Sequence, residues 1–291
     1  MSPRRRLSRD RLRELLEYLY HAYHRPEFLP RDPLAFAHRY PSHADREVVA
    51  LMAASFAFGN VKSIASALEA ILGELGPQPA AALAETEPRH WTRRFPAFTY
   101  RWVREEDLWI YLSWIGRVLR DQGSLGALWQ SLDAPADPTV LPTMQRFVEA
   151  ITAAPVDGVA ERERWLKRAG GSVSALPSGA RLLLTAPEKK STCKRMNLFL
   201  RWVCRPDDGV DLGLWPVDPA RLVMPVDTHV MQVTRALGLA DLRAPTLSTA
   251  LAITDAFAAI SPADPCRYDF ALTRPGILGL KEEAKALGIR L

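Results

Sequence analysis

Apolar residues follow a helical period along most of the chain. Near the N-terminus, Leu12, Leu15, Leu16 and Leu19 share one face of a helix that Pro26 brings to an end. The same period predicts helices in VKSIASALEAILGEL, EEDLWIYLSWIGRVLRDQG, VLPTMQRFVEAIT, THVMQVTRALG and LSTALAITDAFAAI. Another helix, DREVVALMAASFAFG, is expected to begin with a cap at Asp45. Because no series of alternating strand patterns interrupts these segments, the sequence predicts an all-α protein.

The length of the chain permits one large domain with a sizeable core. We expect 291 residues to form a single compact α-helical domain, residues 1–291, with two lobes. The expected central lobe covers about residues 46–190, and residues 1–45 and 191–291 form the other. The least regular stretches, residues 129–142 and 170–190, are candidate linkers. Neither has the length or the low complexity of a disordered tether.

Composition indicates a globular protein of the cell interior. The chain is 48% hydrophobic and 24% charged, and its longest apolar stretch, residues 48–59, is too short to span a bilayer. The basic N-terminus lacks the apolar run of a secretory signal. Cys193, Cys204 and Cys266 have no metal-binding spacing, which excludes a cysteine-bound metal or cluster. We therefore expect a cytoplasmic protein with no membrane partner, no metal and no cofactor.

The distribution of charge suggests an anionic partner. The formal net charge is +5, and residues 189–205 contain six basic residues and no acidic one. Residues 207–218 then contain four aspartates and no basic residue. This segregation predicts a local basic patch of the kind that binds a phosphate backbone. An ordinary solvated helix face is the alternative.

The segment STCKRMNLFLRWVCR, residues 191–205, is the first candidate for chemistry. On a helical wheel, Lys194, Asn197, Arg201 and Arg205 form one narrow polar stripe, and large apolar residues lie opposite. A lysine at the start of a helix is unfavourably placed beside the positive end of the helix dipole. Its amine is a candidate nucleophile, and a side chain that simply points into water is the alternative.

A second candidate lies in MPVDTHVMQVTRALGL, residues 224–239. Asp227 is the expected N-cap of a helix from Thr228 to about Leu237, and Gly238 is the expected stop. The role of N-cap is by itself a sufficient reason for an aspartate at this position. A capping carboxylate is nevertheless held in place at a helix mouth, where it can also face a cleft. His229 and Asp227 are too few to predict a metal site.

Together these two segments resemble the helix-hairpin-helix superfamily of base-excision DNA glycosylases. CKRMNLFLRWV is similar to the Lys-x-x-x-x-Phe-Leu-Arg segment of small bacterial and archaeal 8-oxoguanine DNA glycosylase/AP lyases, with Lys194 at the nucleophile. VDTHV resembles the superfamily's Asp-x-His block, with Asp227 at the catalytic aspartate. Residues 190–275 also look like a conserved bacterial family within that superfamily. The usual glycine-rich hairpin before the lysine is replaced by TAPEKKST.

The resemblance implies a two-lobed helical fold with a cleft between the lobes and a bifunctional enzyme. Lys194 would form a Schiff base with the sugar, and Asp227 would assist. The residues expected to bind DNA are Lys189, Lys190, Ser191, Arg195, Asn197 and Arg201. The residues expected to form a base pocket are Trp202, Phe270, Asp269, Asn60 and His229. For Arg195 and Arg201 a structural ion pair is the alternative. For Trp202 the alternative is a place at the edge of the core, and for Phe270 and Asp269 it is the closure of a helix into a turn.

The implied partner is double-stranded DNA that contains a damaged base, with 8-oxoguanine as the favoured lesion. We expect a monomer in the cytoplasm, associated with the nucleoid. The alternatives are a non-catalytic protein that binds lesions in DNA or RNA, a glycosylase for a different damaged base, and a helical enzyme that uses Lys194 for small-molecule Schiff-base chemistry.

Overall fold

A computed structural model describes residues 8–153, 178–239 and 244–278. Within these ranges the chain is mainly helical, and the one sheet consists of two short antiparallel strands. The predicted all-α fold class is therefore confirmed. The glycosylase-like arrangement of two lobes around a cleft stays a prediction.

The helices between residues 9 and 132 are α1 (Arg9–Tyr23), α2 (His43–Ser55), α3 (Val61–Leu75), α4 (Pro79–Glu85), α5 (Pro88–Arg94), α6 (Glu105–Gln122) and α7 (Leu125–Leu132). The strands are β1 (Thr99–Tyr100) and β2 (Val103–Arg104). The later helices are α8 (Leu141–Thr152), α9 (Ser178–Leu183), α10 (Lys194–Cys204), α11 (Thr228–Ala236), α12 (Leu247–Ala258) and α13 (Asp269–Ile277). Short 3-10 turns lie at Pro26–Arg31, Pro33–Arg39, Pro187–Lys189 and Pro219–Arg221.

Two of the predicted long helices, α3 and α6, closely match the segments that the sequence predicted. Helix α3 begins after Asn60, whose Oδ1 accepts a hydrogen bond from the Ser63 N–H at 2.9 Å, and it ends at Gly76. Helix α6 ends at Gly123, which has a φ of 80°. A glycine can adopt this left-handed conformation without strain, so it terminates the helix readily.

The cap of α2 differs from the prediction. Ser42, not Asp45, is the N-cap, and its Oγ accepts the Asp45 N–H at 3.1 Å. Asp45 is the third residue of the helix, and its Oδ1 accepts the N–H of Ala80 at 2.9 Å. The carboxylate therefore joins the start of α2 to α4, a contact that no local sequence signal indicates.

The described residues divide into two compact units. The first contains residues 8–32, 135–142, 187–239 and 244–278, and the second contains residues 33–134, 143–153 and 178–186. The candidate linker at residues 129–142 thus includes a stretch of the first unit flanked by the second. Residues 170–177 of the other candidate linker lie outside the described residues.

The second unit is built around α2 and α6. Helix α2 is buried along most of its length, and it packs against the 3-10 turn at Pro33–Arg39 and against α4. Helix α6 packs against α4, α5 and α9. A Cβ at Gly116 would lie 2.3 Å from the Leu83 carbonyl oxygen, so only glycine permits the close approach of α6 to α4.

The first unit contains α10 near its centre, and the chain that follows α10 folds back along it. The N–H of Leu212 donates to the Trp202 carbonyl, and the N–H of Trp215 donates to the Val203 carbonyl, both at 2.7 Å. Helix α13 packs against both α1 and α11. Among the described residues, no helix is both long enough and apolar enough to cross a bilayer.

Candidate active site

The structure brings the two predicted catalytic residues together. Lys194 Nζ lies 3.3 Å from Asp227 Oδ2, although 33 residues separate the two positions. Both belong to the first unit. The side chains are 30% and 27% exposed, respectively, so the ion pair is accessible to a ligand from solvent.

The start of α10 presents Lys194. Cys193 precedes it with a φ of 48°, a left-handed conformation that is uncommon for a residue with a side chain. The Asn197 side chain donates from Nδ2 to the Thr192 carbonyl at 2.9 Å, and the Asn197 N–H donates to the Cys193 carbonyl. Asn197 is buried. The prediction that it contacts DNA is therefore wrong, because its side chain fixes the turn that carries Lys194.

Asp227 uses its two carboxylate oxygens for different purposes. Oδ1 accepts the N–H groups of His229 and Val230 at 2.9 and 3.0 Å, which confirms the predicted N-cap of α11. Oδ2 points to the amine of Lys194. The cap thus fixes the carboxylate, and the second oxygen remains available for a proton or a developing positive charge.

Arg201 lies in the interior, which overturns the prediction that it binds phosphate. Its side chain is 2% exposed, Nη1 lies 2.5 Å from Asp269 Oδ2, and Nη2 lies 3.1 Å from Asp211 Oδ1. Burial alone would lower the pKa of the guanidinium, but Asp211 and Asp269 raise it. Asp269 is likewise buried and engaged, so it does not form the wall of an open base pocket.

Two arginines of the basic run are neutralised by aspartates of the acidic run. Arg205 is buried and contacts Asp208 at 3.4 Å, Asp264 at 2.8 Å, and Asp211. Asp211 also contacts Arg201. The aspartates that follow α10 therefore cover the C-terminal part of its basic stripe. The predicted patch is smaller than the sequence indicated, because only Lys194 at the N-terminal end of that stripe is exposed to solvent.

Two aromatic candidates for the base pocket are also in the core. Trp202 and Phe270 are buried. The Phe270 ring contacts the guanidinium of Arg274, whose Cζ lies 3.9 Å from the ring centroid, and the His24 ring at 5.6 Å between centroids. These predictions are wrong, because both aromatic side chains are packed inside the protein and are not accessible to a base.

The remaining predicted contacts lie at the surface. Lys189 and Lys190 are exposed, and Ser191 and Arg195 are partly exposed. Lys189 pairs with Glu188 at 3.1 Å, and the Lys190 carbonyl accepts the Leu247 N–H at the start of α12. His229 is exposed beside Asp227. Asn60 is exposed in the second unit, where it caps α3. DNA and base contacts by these residues stay predictions.

A partly buried contact between His24 and Asp208 could not be predicted from the sequence. His24 Nε2 lies 2.7 Å from Asp208 Oδ2, and the His24 ring stacks on Tyr20 with 4.5 Å between centroids. His24, Asp208 and Asp211 each place a ligand atom within 4.8 Å of the others, which is close enough for a metal. Arg205 contacts both carboxylates, so a cation there would compete with its guanidinium.

The contact between His24 and Asp208 predicts a specific dependence of stability on pH. Burial alone would raise the pKa of Asp208, but His24 and Arg205 together lower it well below its usual value of 3.8. The stabilisation is therefore complete above the unfolded-state pKa and is lost as the pH falls through the folded-state pKa. We expect Asp208→Asn to lower the free energy of unfolding at pH 7 by about 2 kcal/mol.

Urea unfolding at several pH values measures this effect. The difference in the free energy of unfolding between Asp208→Asn and the wild type should decrease steadily as the pH falls from about 5 towards 2. Asp255→Asn, at an exposed position of α12, is the matched control and should show little difference at any pH. A difference for Asp208→Asn that does not change with pH would contradict the assignment.

Comparison with known proteins places the chain in one family. No curated protein and no solved structure matches it significantly. A family model described as "Protein of unknown function (DUF2400)" matches residues 32–278, which is most of the chain and includes both Lys194 and Asp227. The chain therefore belongs to the DUF2400 family.

Proposed function

We propose that this protein is a bifunctional DNA glycosylase and AP lyase that removes an oxidised base, with 8-oxoguanine as the favoured substrate. The observation that carries the proposal is the 3.3 Å contact between Lys194 Nζ and Asp227 Oδ2 at an accessible position. An amine nucleophile beside a fixed carboxylate is the pair that Schiff-base chemistry at a sugar carbon requires. The resemblance of both segments to glycosylase motifs directs this chemistry to DNA.

The pair can act in a defined order. The damaged nucleotide must first leave the base stack, since its C1′ is inaccessible within the duplex. Asp227 Oδ2 accepts a proton from the Lys194 ammonium, and the free amine attacks C1′. The bond between C1′ and the base breaks, its electron pair leaves with the base, and the base takes up the proton that Asp227 accepted. The carboxylate, ionised again, stabilises the positive charge that remains at C1′ and Nζ.

Strand cleavage follows from the covalent intermediate. Nζ first gives up a proton, so that its lone pair can open the bond between C1′ and O4′ and form an iminium between C1′ and Lys194 Nζ. O4′ takes up that proton. Loss of a proton from C2′ then expels the 3′ phosphate by β-elimination. Water finally hydrolyses the iminium and returns the free amine. No step needs an oxidant, a metal or a cofactor.

The surroundings of Lys194 support a phosphate partner. Lys189 and Lys190 are exposed immediately before α10, and the partly exposed hydroxyl of Ser191 follows them. Cations and hydroxyl groups of this kind commonly contact the DNA backbone and fix its position. Buried Arg201 on α10 and buried Arg205 directly after it contribute indirectly, because they hold the helix that presents the nucleophile.

Borohydride trapping tests the proposal directly. The wild-type protein is incubated with sodium borohydride and a 21-base-pair duplex that contains 8-oxoguanine opposite cytosine. We expect a covalent adduct, and none with the matched guanine duplex. An adduct with a duplex that contains an abasic site, but none with 8-oxoguanine, would assign the lyase to a different damaged base. No adduct with either duplex would sink the enzyme proposal, and DNA binding alone would then indicate a non-catalytic protein.

The same assay separates the catalytic role of the Asp227 carboxylate from its structural role as the N-cap of α11. Asparagine is also a good N-cap, so Asp227→Asn should keep α11 intact. The variant lacks the charge and the proton acceptor, and we expect trapping to be slower by about 10²–10⁴-fold. Thermal unfolding should change little. A rate within a few-fold of the wild type would show that the carboxylate serves only as a cap.

A further inference from the structure

The loop between β1 and β2 carries an arginine and a tryptophan at the surface of the second unit. Tyr100 pairs with Val103, so Arg101 and Trp102 form a two-residue hairpin loop. Both are exposed, and Trp102 retains 36% of its surface in solvent. Most tryptophans in the described residues are buried, which makes an aromatic side chain at a hairpin tip unusual here.

The backbone at Arg101 is in an unfavourable conformation for its residue type. Arg101 has a φ of 55°, whereas Trp102 does not have a positive φ. Hairpin loops with a positive φ at the first position strongly favour glycine there. A side chain held in the left-handed region stores strain, and such residues concentrate at functional sites. Strain at this position favours a functional role for the arginine side chain.

Trp102 is held in a fixed orientation. Its ring stacks on Phe58 with 4.7 Å between centroids and an interplanar angle of 8°. Tyr100, on the adjacent strand, donates from its hydroxyl to the carbonyl of Phe58. A Cβ at Gly59 would lie 3.3 Å from Arg101 Cδ, so the arginine side chain extends across this glycine. The loop is thus supported by the segment before α3.

We propose that the Arg101–Trp102 loop binds an unpaired nucleobase of DNA. Trp102 stacks on the base, and the guanidinium of Arg101 contacts the adjoining phosphate. A rigid aromatic surface next to a cation is the combination that single-stranded DNA sites use. Arg104, on β2, is also exposed and adds positive charge to the hairpin. The inference rests on the proposed function in one respect, since it takes DNA as the ligand.

Oligonucleotide binding separates the two contacts. All variants are made in a Lys194→Gln background, so that no chemistry consumes the probe. The probes are a fluorescent twelve-nucleotide oligothymidylate and an abasic oligomer of the same length, measured by anisotropy. We expect Trp102→Ala to raise Kd for the oligothymidylate about tenfold and to leave binding of the abasic oligomer unchanged.

Arg101→Gly removes the guanidinium, and it also relieves the backbone strain at this position. Glycine removes the strain, so thermal stability should stay the same or rise. We expect Kd to rise about threefold for both oligomers, and the slope of log Kd against log salt to fall by about one. Because this variant should not unfold, unchanged Kd values and an unchanged salt slope would overturn the role of Arg101.

Tyr18→Ala is the matched aromatic control. Tyr18 is 61% exposed on α1 of the first unit. Its replacement should change neither the Kd for the oligothymidylate nor the Kd for the abasic oligomer. Unchanged binding of the oligothymidylate by Trp102→Ala, or equal loss with both oligomers, would overturn the stacking proposal. These outcomes do not depend on trapping. A missing borohydride adduct therefore refutes the enzyme proposal alone, and a missing effect of Trp102 refutes the stacking site alone.

Discussion

Lys194→Gln is expected to abolish the borohydride adduct with the 8-oxoguanine duplex, because glutamine has no amine to form the Schiff base. The change should hardly affect folding. The ion pair with Asp227 is about 30% exposed, and such pairs contribute about 0–1 kcal/mol to stability. Denaturing gel electrophoresis after trapping measures the adduct, and thermal unfolding confirms that the variant is folded.

Two further variants separate the role of Lys194 as a nucleophile from the effect of its positive charge. Lys194→Arg keeps a cation opposite Asp227 but cannot form the adduct, so we expect it to bind DNA as the wild type does and to trap none. Lys62→Gln removes an exposed amine from α3 of the second unit and should trap normally. An undiminished adduct with Lys194→Gln would show that another amine is the nucleophile.

Arg201→Met is expected to lower the free energy of unfolding by about 3–5 kcal/mol. The arginine is buried between Asp211 and Asp269, and among the described residues no other cation pairs with the buried Asp269 carboxylate once Arg201 is removed. Since a folded domain is stable by only about 5–15 kcal/mol, the variant should unfold at low urea concentration or accumulate poorly. Urea unfolding at pH 7 gives the value.

A double variant keeps this prediction testable where the single variant is too unstable to purify. Arg201→Met combined with Asp269→Leu removes the uncompensated charge together with its partner, and it should recover a large part of the loss. Asp211 retains Arg205 in both variants. Arg93→Met, at an exposed position of α5, is the control and should change stability little. A loss below about 1 kcal/mol for Arg201→Met would contradict the buried-charge account.

The long helices and the two catalytic candidates could be predicted from the sequence. One-sided burial imposes a helical period on α1, α3 and α6, and local signals such as Asn60 and Gly123 mark the ends. Asp227 could be predicted as a cap for the same reason. The short helices α4, α5, α7 and α9 and the β-hairpin were missed, because each is too brief for a period to develop.

The environment of the polar stripe on α10 could not be predicted from its own residues. A helical wheel shows that Lys194, Asn197 and Arg201 share a face, but it does not show what covers that face. Asp269, which pairs with Arg201, lies 68 residues further along the chain. The acidic run after α10 was visible in the sequence, and its complementarity to the arginines was the one signal that would have indicated burial.

The fold-back of residues 206–215 along α10 has a consequence for the order of folding. Arg205 and Asp211 are separated by only six residues, so the loop that joins them costs little entropy to close. Asp264 and Asp269 reach the same arginines much later during synthesis. As the chain emerges from the ribosome, Arg201 and Arg205 can therefore be neutralised by their near neighbours before α12 and α13 exist. The scaffold that presents Lys194 can thus begin to assemble before the C-terminal part of the first unit has been made.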